Sequence, residues 1–190
     1  MSSVSSVRLH SYWRSSAAYR VRIALGLKGI AFESVCWHMA NGEHLQQRYR
    51  DLASFGLVPM LEIDGLRLQQ SLAIIEYLEE RNPAPPLLPG DRAQRARARA
   101  LAQLVACEIH PLNNLRVLKR LRGSLRADDA QVADWYRHWC NEGFQALESA
   151  LAPFEAGPFA LGAQPSIVEC CLIPQIYNAR RYEVPMAAYP

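Results

Sequence analysis

Residues 14–29 read "RSSAAYRVRIALGLKG" and place two serines at the start of an amphipathic helix. Gly29 stands where a helix-ending glycine is usual. Residues 7–12 alternate apolar and polar side chains, as a short strand does. The apolar side chains of the helix recur at helical spacing, at Ala17, Val21, Ala24 and Leu25. The sequence therefore predicts a strand, a loop that carries both serines, and a helix over residues 17–27.

The two serines favour an anion-binding site at this helix start. The first backbone N–H groups of a helix lack intrahelical partners, and the helix dipole adds partial positive charge there. One serine hydroxyl can cap the helix while the other donates a hydrogen bond to the anion, and the small Ala17 leaves the approach open. The alternative is that both serines are ordinary caps.

A thiolate is an anion that suits such a site. Lowering the pKa of a free thiol by about two units from about 8.5 requires about 2.7 kcal/mol. The helix dipole supplies only about 0.3–1 kcal/mol, whereas a hydrogen bond to a charged group supplies about 1.5–3 kcal/mol. The hydroxyl therefore has to supply the larger share. Because no cysteine lies in this loop, the thiol has to come from a ligand.

A proline and a second helix start extend the predicted binding site. Pro59 opens a strand, so Val58 cannot be helical, and the backbone amide and carbonyl of Val58 can pair with an extended ligand. Gln70 and Ser71 stand at the start of another helix, which is a natural carboxylate site. One peptide-like ligand could reach all three places. The alternative for Pro59 is an ordinary strand edge.

The rest of the first part of the chain alternates strand-like and helix-like segments. The predicted order is βαβ followed by αββα. After the first strand and helix we expect a strand over 31–37, a weak polar helix over 42–52, a hairpin of 60–63 and 66–69 around Asp64-Gly65, and a helix over 71–81.

Residues 82–91, "NPAPPLLPGD", divide the chain because they hold four of its twelve prolines and cannot continue a helix. We therefore expect one domain over residues 1–84 and a second over 92–190. The second part reads almost entirely as helix. Its predicted helices are one long helix or a kinked pair from Asp91, broken near Pro111, one from Asp128 or Asp129 to about residue 154, and one after a capping box of Ser166 and Glu169.

Composition argues against several classes of protein. The net charge of +3 is too small to indicate a nucleic-acid partner. No apolar run approaches the roughly 20 residues that span a membrane, and the N-terminus lacks the pattern of a signal peptide. The five cysteines are odd in number and show no C-x-x-C spacing. We therefore expect reduced thiols in a cytoplasmic protein, with neither a disulfide framework nor a metal site.

Several long motifs resemble the zeta class of glutathione transferases. They are "SYWRSSAAYRVRIALGLKG", "LVPMLEIDG", "QQSLAIIEYLEE", "PPLLPGD", "CEIHPLNNLRVLKRL" and "CCLIPQIYNARRY", and they run in order through essentially the whole chain. The resemblance implies an α/β thioredoxin-like N-terminal domain, an all-α helical C-terminal domain and a homodimer. It further implies a glutathione cofactor and glutathione-dependent cis–trans isomerisation of maleylacetoacetate or maleylpyruvate in the breakdown of aromatic compounds.

The resemblance also assigns glutathione contacts to particular residues. The hydroxyl of Ser15 would face the glutathione sulfur, with Ser16 beside it. Pro59 would be a cis-proline, and Val58 would pair with the cysteinyl backbone of glutathione. The γ-glutamyl end of glutathione would be held by Gln70 and Ser71.

A second group of residues is expected to face the acid substrate. His110 and Asn114 are four residues apart, which predicts that they share a helix face. By resemblance, His110 and Asn114 lie near the substrate together with several arginines. Arginines suit a small substrate with two acidic groups, because the planar guanidinium fits a carboxylate. Without the resemblance, His110 is equally well a packed or capping histidine. The arginines of this group would be Arg14, Arg116 and Arg181, the last preferred over Arg180.

The chain also departs from the family pattern. Ala17 stands where many zeta enzymes have a cysteine, Ala53-Ser54 replaces the usual Asn-Pro, and Glu169 replaces an aspartate. Relatives continue beyond the position of Pro190, so we expect the helical domain to be truncated at its C-terminal end. Two other functions stay open: a zeta-type transferase that acts by conjugation, dehalogenation or peroxide reduction, and a non-catalytic protein that binds glutathione or other ligands.

Overall fold

The computed structural model describes residues 7–154 and 157–189. Backbone contacts separate the chain into two compact units, Met1–Leu87 and Leu88–Pro190. The point of division lies within the proline-rich residues 82–91.

The first unit contains β1 (Arg8–Ser11), α1 (Ser16–Leu27), β2 (Glu33–Cys36), α2 (Gln47–Arg50), β3 (Met60–Ile63), β4 (Leu66–Gln69) and α3 (Ser71–Arg81). Its strands form a four-stranded mixed sheet with the order β2-β1-β3-β4. Strand β1 is parallel to β2 and antiparallel to β3, and β3 is antiparallel to β4. The parallel pair needs a crossover connection, and helix α1 lies between these two strands in the chain.

Local sequence signals predicted most of these bounds. The β3–β4 hairpin and α3 have the predicted limits, and the hairpin turn has positive φ at both Asp64 and Gly65, as a tight two-residue hairpin turn requires. Strand β2 is shorter than predicted, because only Glu33–Cys36 pair with β1. In place of the weak helix predicted over residues 42–52, the structure has two 3₁₀ turns, Met39–Asn41 and Glu43–Leu45, and the single α-helical turn of α2. The first 3₁₀ turn lies before the predicted start.

A buried ion pair closes the first unit where the chain leaves α3. The ammonium of Lys28, at the end of α1, contacts the Glu79 carboxylate at 2.6 Å. It also donates to the backbone carbonyls of Asn82 and Pro85, both at 2.6 Å. Glu79 in turn accepts from the backbone amide of Leu87 at 2.8 Å. These contacts tie the proline-rich connection to α1 and α3.

The second unit is helical in its described residues. Each helix that follows a loop begins with a local cap: Asp91, Asp128 and Ser166 all form capping boxes. The α-helices are α4 (Arg92–Gln103), α5 (Leu115–Ser124), α6 (Asp129–Leu151) and α7 (Ile167–Arg181), and a π-helical segment, Leu104–Ile109, continues α4. Of the two alternatives at Pro111, the structure therefore has the kinked pair.

Helix α6 passes very close to the π-helical segment. A Cβ atom added to Gly143 would lie 2.2 Å from Cγ1 of Ile109, so only glycine allows this approach.

Over the described residues, none of the helices combines the length and the apolar character needed to cross a bilayer.

Candidate glutathione and acid site

The loop from β1 to α1 presents one serine hydroxyl at the helix start. Ser15 is the N-cap of α1, and its Oγ accepts a hydrogen bond from the Ala18 amide at 3.2 Å. Ser15 is half-buried, whereas Ser16 is only 7% exposed. The sequence predicted that one serine caps the helix and that the other donates to the anion. In the structure Ser15 can do both, because the capping bond uses a lone pair of its oxygen and leaves the hydroxyl proton to donate.

An arginine that sequence reasoning missed braces this loop. Arg22 of α1 donates to Oγ of Ser11 at 2.9 Å and to the carbonyl of Trp13 at 3.4 Å. Burial lowers the pKa of the Arg22 guanidinium, which stays charged at any ordinary pH. Arg14 is exposed, and its guanidinium lies 5.5 Å from the centre of the Trp13 ring. The predicted substrate arginine Arg14 is thus on the solvent side of the loop.

The segment before β3 offers an unpaired stretch of backbone. The Val58–Pro59 peptide bond is cis, as the resemblance implies. Among residues 7–154 and 157–189, neither the amide nor the carbonyl of Val58 has a hydrogen-bond partner. The Tyr49 hydroxyl donates to the Leu57 carbonyl at 2.7 Å and holds the preceding residue in place. An extended peptide could therefore pair with Val58 as a further strand would.

The start of α3 combines an unusual backbone conformation with a buried hydroxyl. Gln70, the N-cap of α3, has φ +69°, a left-handed conformation that non-glycine residues rarely adopt outside functional or strained sites. Ser71 follows as the first helical residue and is 6% exposed. Its Oγ accepts a hydrogen bond from Nη1 of Arg20 at 3.2 Å. A carboxylate at this helix start would meet unpaired helix amides and the Ser71 hydroxyl.

His38 is a further candidate that sequence reasoning did not single out. It lies just past the carboxyl end of β2, and its ring centre is 5.2 Å from that of Tyr12, which follows β1. Since β1 and β2 are parallel, their carboxyl ends meet at the same edge of the sheet. Nδ1 of His38 is buried and has no hydrogen-bond partner within the described part of the chain. The sequence signal that could have identified His38 is its position directly after the strand predicted over residues 31–37.

In the second unit, the structure brings His110 and Asn114 together across one turn and places Arg116 in the first turn of the helix that follows. Nδ2 of Asn114 lies 3.4 Å from Nε2 of His110, and Oδ1 of Asn114 accepts from the Arg116 amide at 3.1 Å. The prediction that His110 and Asn114 share a helix face is wrong, because residues 110–114 form a turn and Asn114 is the N-cap of α5. Pro111 has no amide proton to continue the helical ladder.

Arg116 and the two arginines that end α7 are exposed. Arg181 acts electrostatically on Tyr136, whose pKa is raised by burial and lowered in part by this positive charge. The Tyr136 ring stacks on that of Tyr182 with 3.6 Å between centres. This stack lies beside Arg181 and gives the preferred arginine a rigid neighbour.

No metal-binding cluster of three or more His, Cys, Asp or Glu side chains occurs among the residues that the structure describes. The cysteines are all free thiols, and Cys140, Cys170 and Cys171 are buried.

Comparison with known proteins identifies the family. The glutathione S-transferase, N-terminal domain, model matches residues 14–81. A probable maleylacetoacetate isomerase from Vibrio cholerae is 48% identical over 97% of this chain and 86% of its own. A solved holo maleylpyruvate isomerase, described as a bacterial zeta-class glutathione S-transferase, superposes with a TM-score of 0.94 at 43% identity, over 96% of this chain and 87% of its own.

A third relative was solved with ligands. Maleylacetoacetate isomerase from Methylobacterium extorquens AM1, with bound malonate and glutathione, has a TM-score of 0.90 at 40% identity, over 96% of this chain and 86% of its own. These similarities confirm the predicted fold class, a thioredoxin-like domain followed by an all-helical domain. The chain therefore belongs to the zeta class of glutathione transferases, the family of the maleylacetoacetate and maleylpyruvate isomerases.

Proposed function

We propose that this protein is a glutathione-dependent cis–trans isomerase that acts on maleylacetoacetate or maleylpyruvate in the catabolism of aromatic compounds. The observation that carries the proposal is the unpaired backbone of Val58, in the same unit as hydroxyls at the starts of α1 and α3. These are the three features that a short anionic peptide with a thiol requires. Relatives over 40% identical bear the corresponding names.

Glutathione fits the residues of the first unit. The Ser15 hydroxyl would donate to the sulfur, and the α1 N-terminus would add partial positive charge, with Ser16 packed behind it. Val58, held by the cis bond to Pro59, would pair with the cysteinyl backbone. The γ-glutamyl end would be bound by Gln70 and Ser71.

The chemistry needs a nucleophile and positive charge. When bound, glutathione supplies a thiolate whose reversible addition to the conjugated double bond permits rotation about it. The chain's own residues hold the acid and stabilise negative charge on its oxygens, for which arginine needs no proton transfer. Malonate, the ligand of the Methylobacterium relative, is likewise a dicarboxylate. The residues proposed for these tasks are Arg14, Arg116, Arg181, His110 and Asn114.

We further propose domains over residues 1–84 and 92–190, a homodimeric assembly and a cytoplasmic location. The resemblance supports the dimer, and an odd number of cysteines without C-x-x-C spacing supports the compartment. Light scattering behind a sizing column measures the mass directly, and a mass near 21.4 kDa would contradict the dimer.

The test is an isomerase assay with defined substrates. Purified protein should isomerise maleylpyruvate or maleylacetoacetate only when glutathione is added, and an S-methylated glutathione should not replace it. Glutathione conjugation to a neutral aromatic chloride, dechlorination of a chlorinated acid and peroxide reduction are assayed in parallel. Activity confined to these reactions would favour the transferase alternative. Glutathione binding with no turnover of any substrate would favour a non-catalytic binder.

A further inference from the structure

Arg20 and Ser71 form a buried hydrogen bond between two helices of the first unit. Arg20 lies on α1 and is 2% exposed, and Ser71 is the first residue of α3 and is 6% exposed. Nη1 of Arg20 lies 3.2 Å from Oγ of Ser71. The two residues are 51 positions apart in the chain, and α1 packs against α3.

The direction of this bond fixes the role of the Ser71 hydroxyl. A guanidinium can only donate hydrogen bonds, so the Ser71 oxygen accepts and its own proton has to find another acceptor. Across residues 7–154 and 157–189, the structure gives that proton no acceptor. The hydroxyl is therefore turned into a donor at the N-terminus of α3, where the helix amides also favour an anion.

Ser15 is arranged in the same way. The Ala18 amide donates to its oxygen and leaves its proton to donate. Helix α1 thus carries Ser15 at its start and, five residues later, the arginine that orients Ser71. Groups of helix α1 therefore donate to the oxygens of both serines and leave both hydroxyl protons to donate.

We propose that Arg20 is a positioning residue for the γ-glutamyl carboxylate of glutathione. It does not touch the ligand; it holds the Ser71 hydroxyl so that the proton is directed to the carboxylate. The inference rests on the proposed binding of glutathione to the first unit, and it adds a residue from α1 to the recognition of the amino-acid end.

The experiment compares glutathione with γ-aminobutyryl-cysteinylglycine, in which hydrogen replaces the γ-glutamyl carboxylate and the amine is kept. Dissociation constants are measured by calorimetry for the wild type, Arg20→Met, Ser71→Ala and the double variant. A hydrogen bond to a charged group corresponds to about 10- to 150-fold in affinity. Arg20→Met should weaken glutathione about 10-fold and the analogue less than about 2-fold, with kcat at saturating glutathione nearly unchanged.

The double variant separates positioning from a structural role. Because Arg20 acts through Ser71, the double variant should bind glutathione as weakly as Ser71→Ala alone and not as the product of the two losses. Arg20→Lys keeps a charged donor and should bind glutathione within about 3-fold of the wild type. This variant tests the proposal even if Arg20→Met does not fold. Arg81→Met, an exposed arginine of α3, is the matched control and should change neither affinity.

Equal weakening of both ligands by Arg20→Met, or multiplicative losses in the double variant, would overturn the positioning role. Weakening of both ligands by Arg20→Lys would do the same. Since the affinities need no turnover, a wild type that binds glutathione without isomerising either acid would refute the proposed isomerase activity alone. A wild type that binds no glutathione would overturn both.

Discussion

Removing the Lys28 ammonium should destabilise the protein strongly. The Lys28 side chain is fully buried and that of Glu79 is 5% exposed. Lys28→Met keeps most of the volume but removes the ammonium from the buried Glu79 carboxylate, and it removes the donor from the carbonyls of Asn82 and Pro85. Breaking a buried ion pair on one side costs about 3–5 kcal/mol. That is a large part of the roughly 5–15 kcal/mol by which domains are stable.

The measurement is urea unfolding at pH 7, followed by tryptophan fluorescence. With a slope of about 2 kcal/mol per molar, a loss of about 4 kcal/mol moves the midpoint down by about 2 M. The control is Arg122→Met, which breaks the exposed contact with Asp129. That variant should cost at most about 1 kcal/mol, because exposed ion pairs contribute little.

The double variant Lys28→Met/Glu79→Leu tests the reason for the loss. It removes the buried carboxylate together with the ammonium that neutralises it, so it should be more stable than the sum of the two single losses by about 0.5–3 kcal/mol. If Lys28→Met unfolds with the midpoint of Arg122→Met, the ammonium does not hold the connection after α3. Strict additivity in the double variant would also refute the reasoning.

Further predictions concern the thiolate, the acid, a close approach and the buried thiols. Ser15→Ala should raise the pKa of bound glutathione by about one to two units, read from ultraviolet absorbance of the thiolate, and an unchanged titration would contradict its role. Arg116→Met should lower isomerisation about 10- to 150-fold with little change in glutathione affinity, and equal loss on a neutral aromatic chloride would make Arg116 structural. Gly143→Ala should cost about 1–3 kcal/mol in urea unfolding because its Cβ would overlap Ile109, and a wild-type midpoint would contradict the close contact. Burial raises the pKa of Cys140 to about 12, so this thiol stays protonated at pH 8 and should not react with a disulfide reagent until the protein is unfolded. Native protein should then titrate only the exposed thiols, those of Cys36 and Cys107.

The sequence predicted the elements whose causes are local. The Asp64-Gly65 turn supports positive φ at two successive positions, and that chemistry sets the register of the hairpin. The boxes that begin with Asp128 and Ser166 satisfy helix amides with side chains three residues away. Such signals involve neighbours in the chain, so they can be recognised without knowledge of the fold.

The residues of the first unit that are proposed to face the ligand were also accessible from sequence. A serine pair before a helical stripe, a proline at the start of a strand and a serine at the next helix start each mark a backbone position with unpaired groups. The resemblance joined them into one peptide site. What those patterns could not say was which serine is the more accessible one: in the structure Ser15 is half-buried and Ser16 is buried.

By itself, then, the sequence determined the order of strands and helices, the caps and turns, and the backbone positions that are proposed to bind an anionic peptide. Only the tertiary structure decided that Arg20 reaches Ser71, that His38 stands beside Tyr12, and that His110 and Asn114 meet across a turn. The first two depend on elements that are distant in the chain and come together only when buried apolar surfaces pack. The third depends on how α4 unwinds into a π-helical segment before Pro111, which no short-range pattern of side chains encodes.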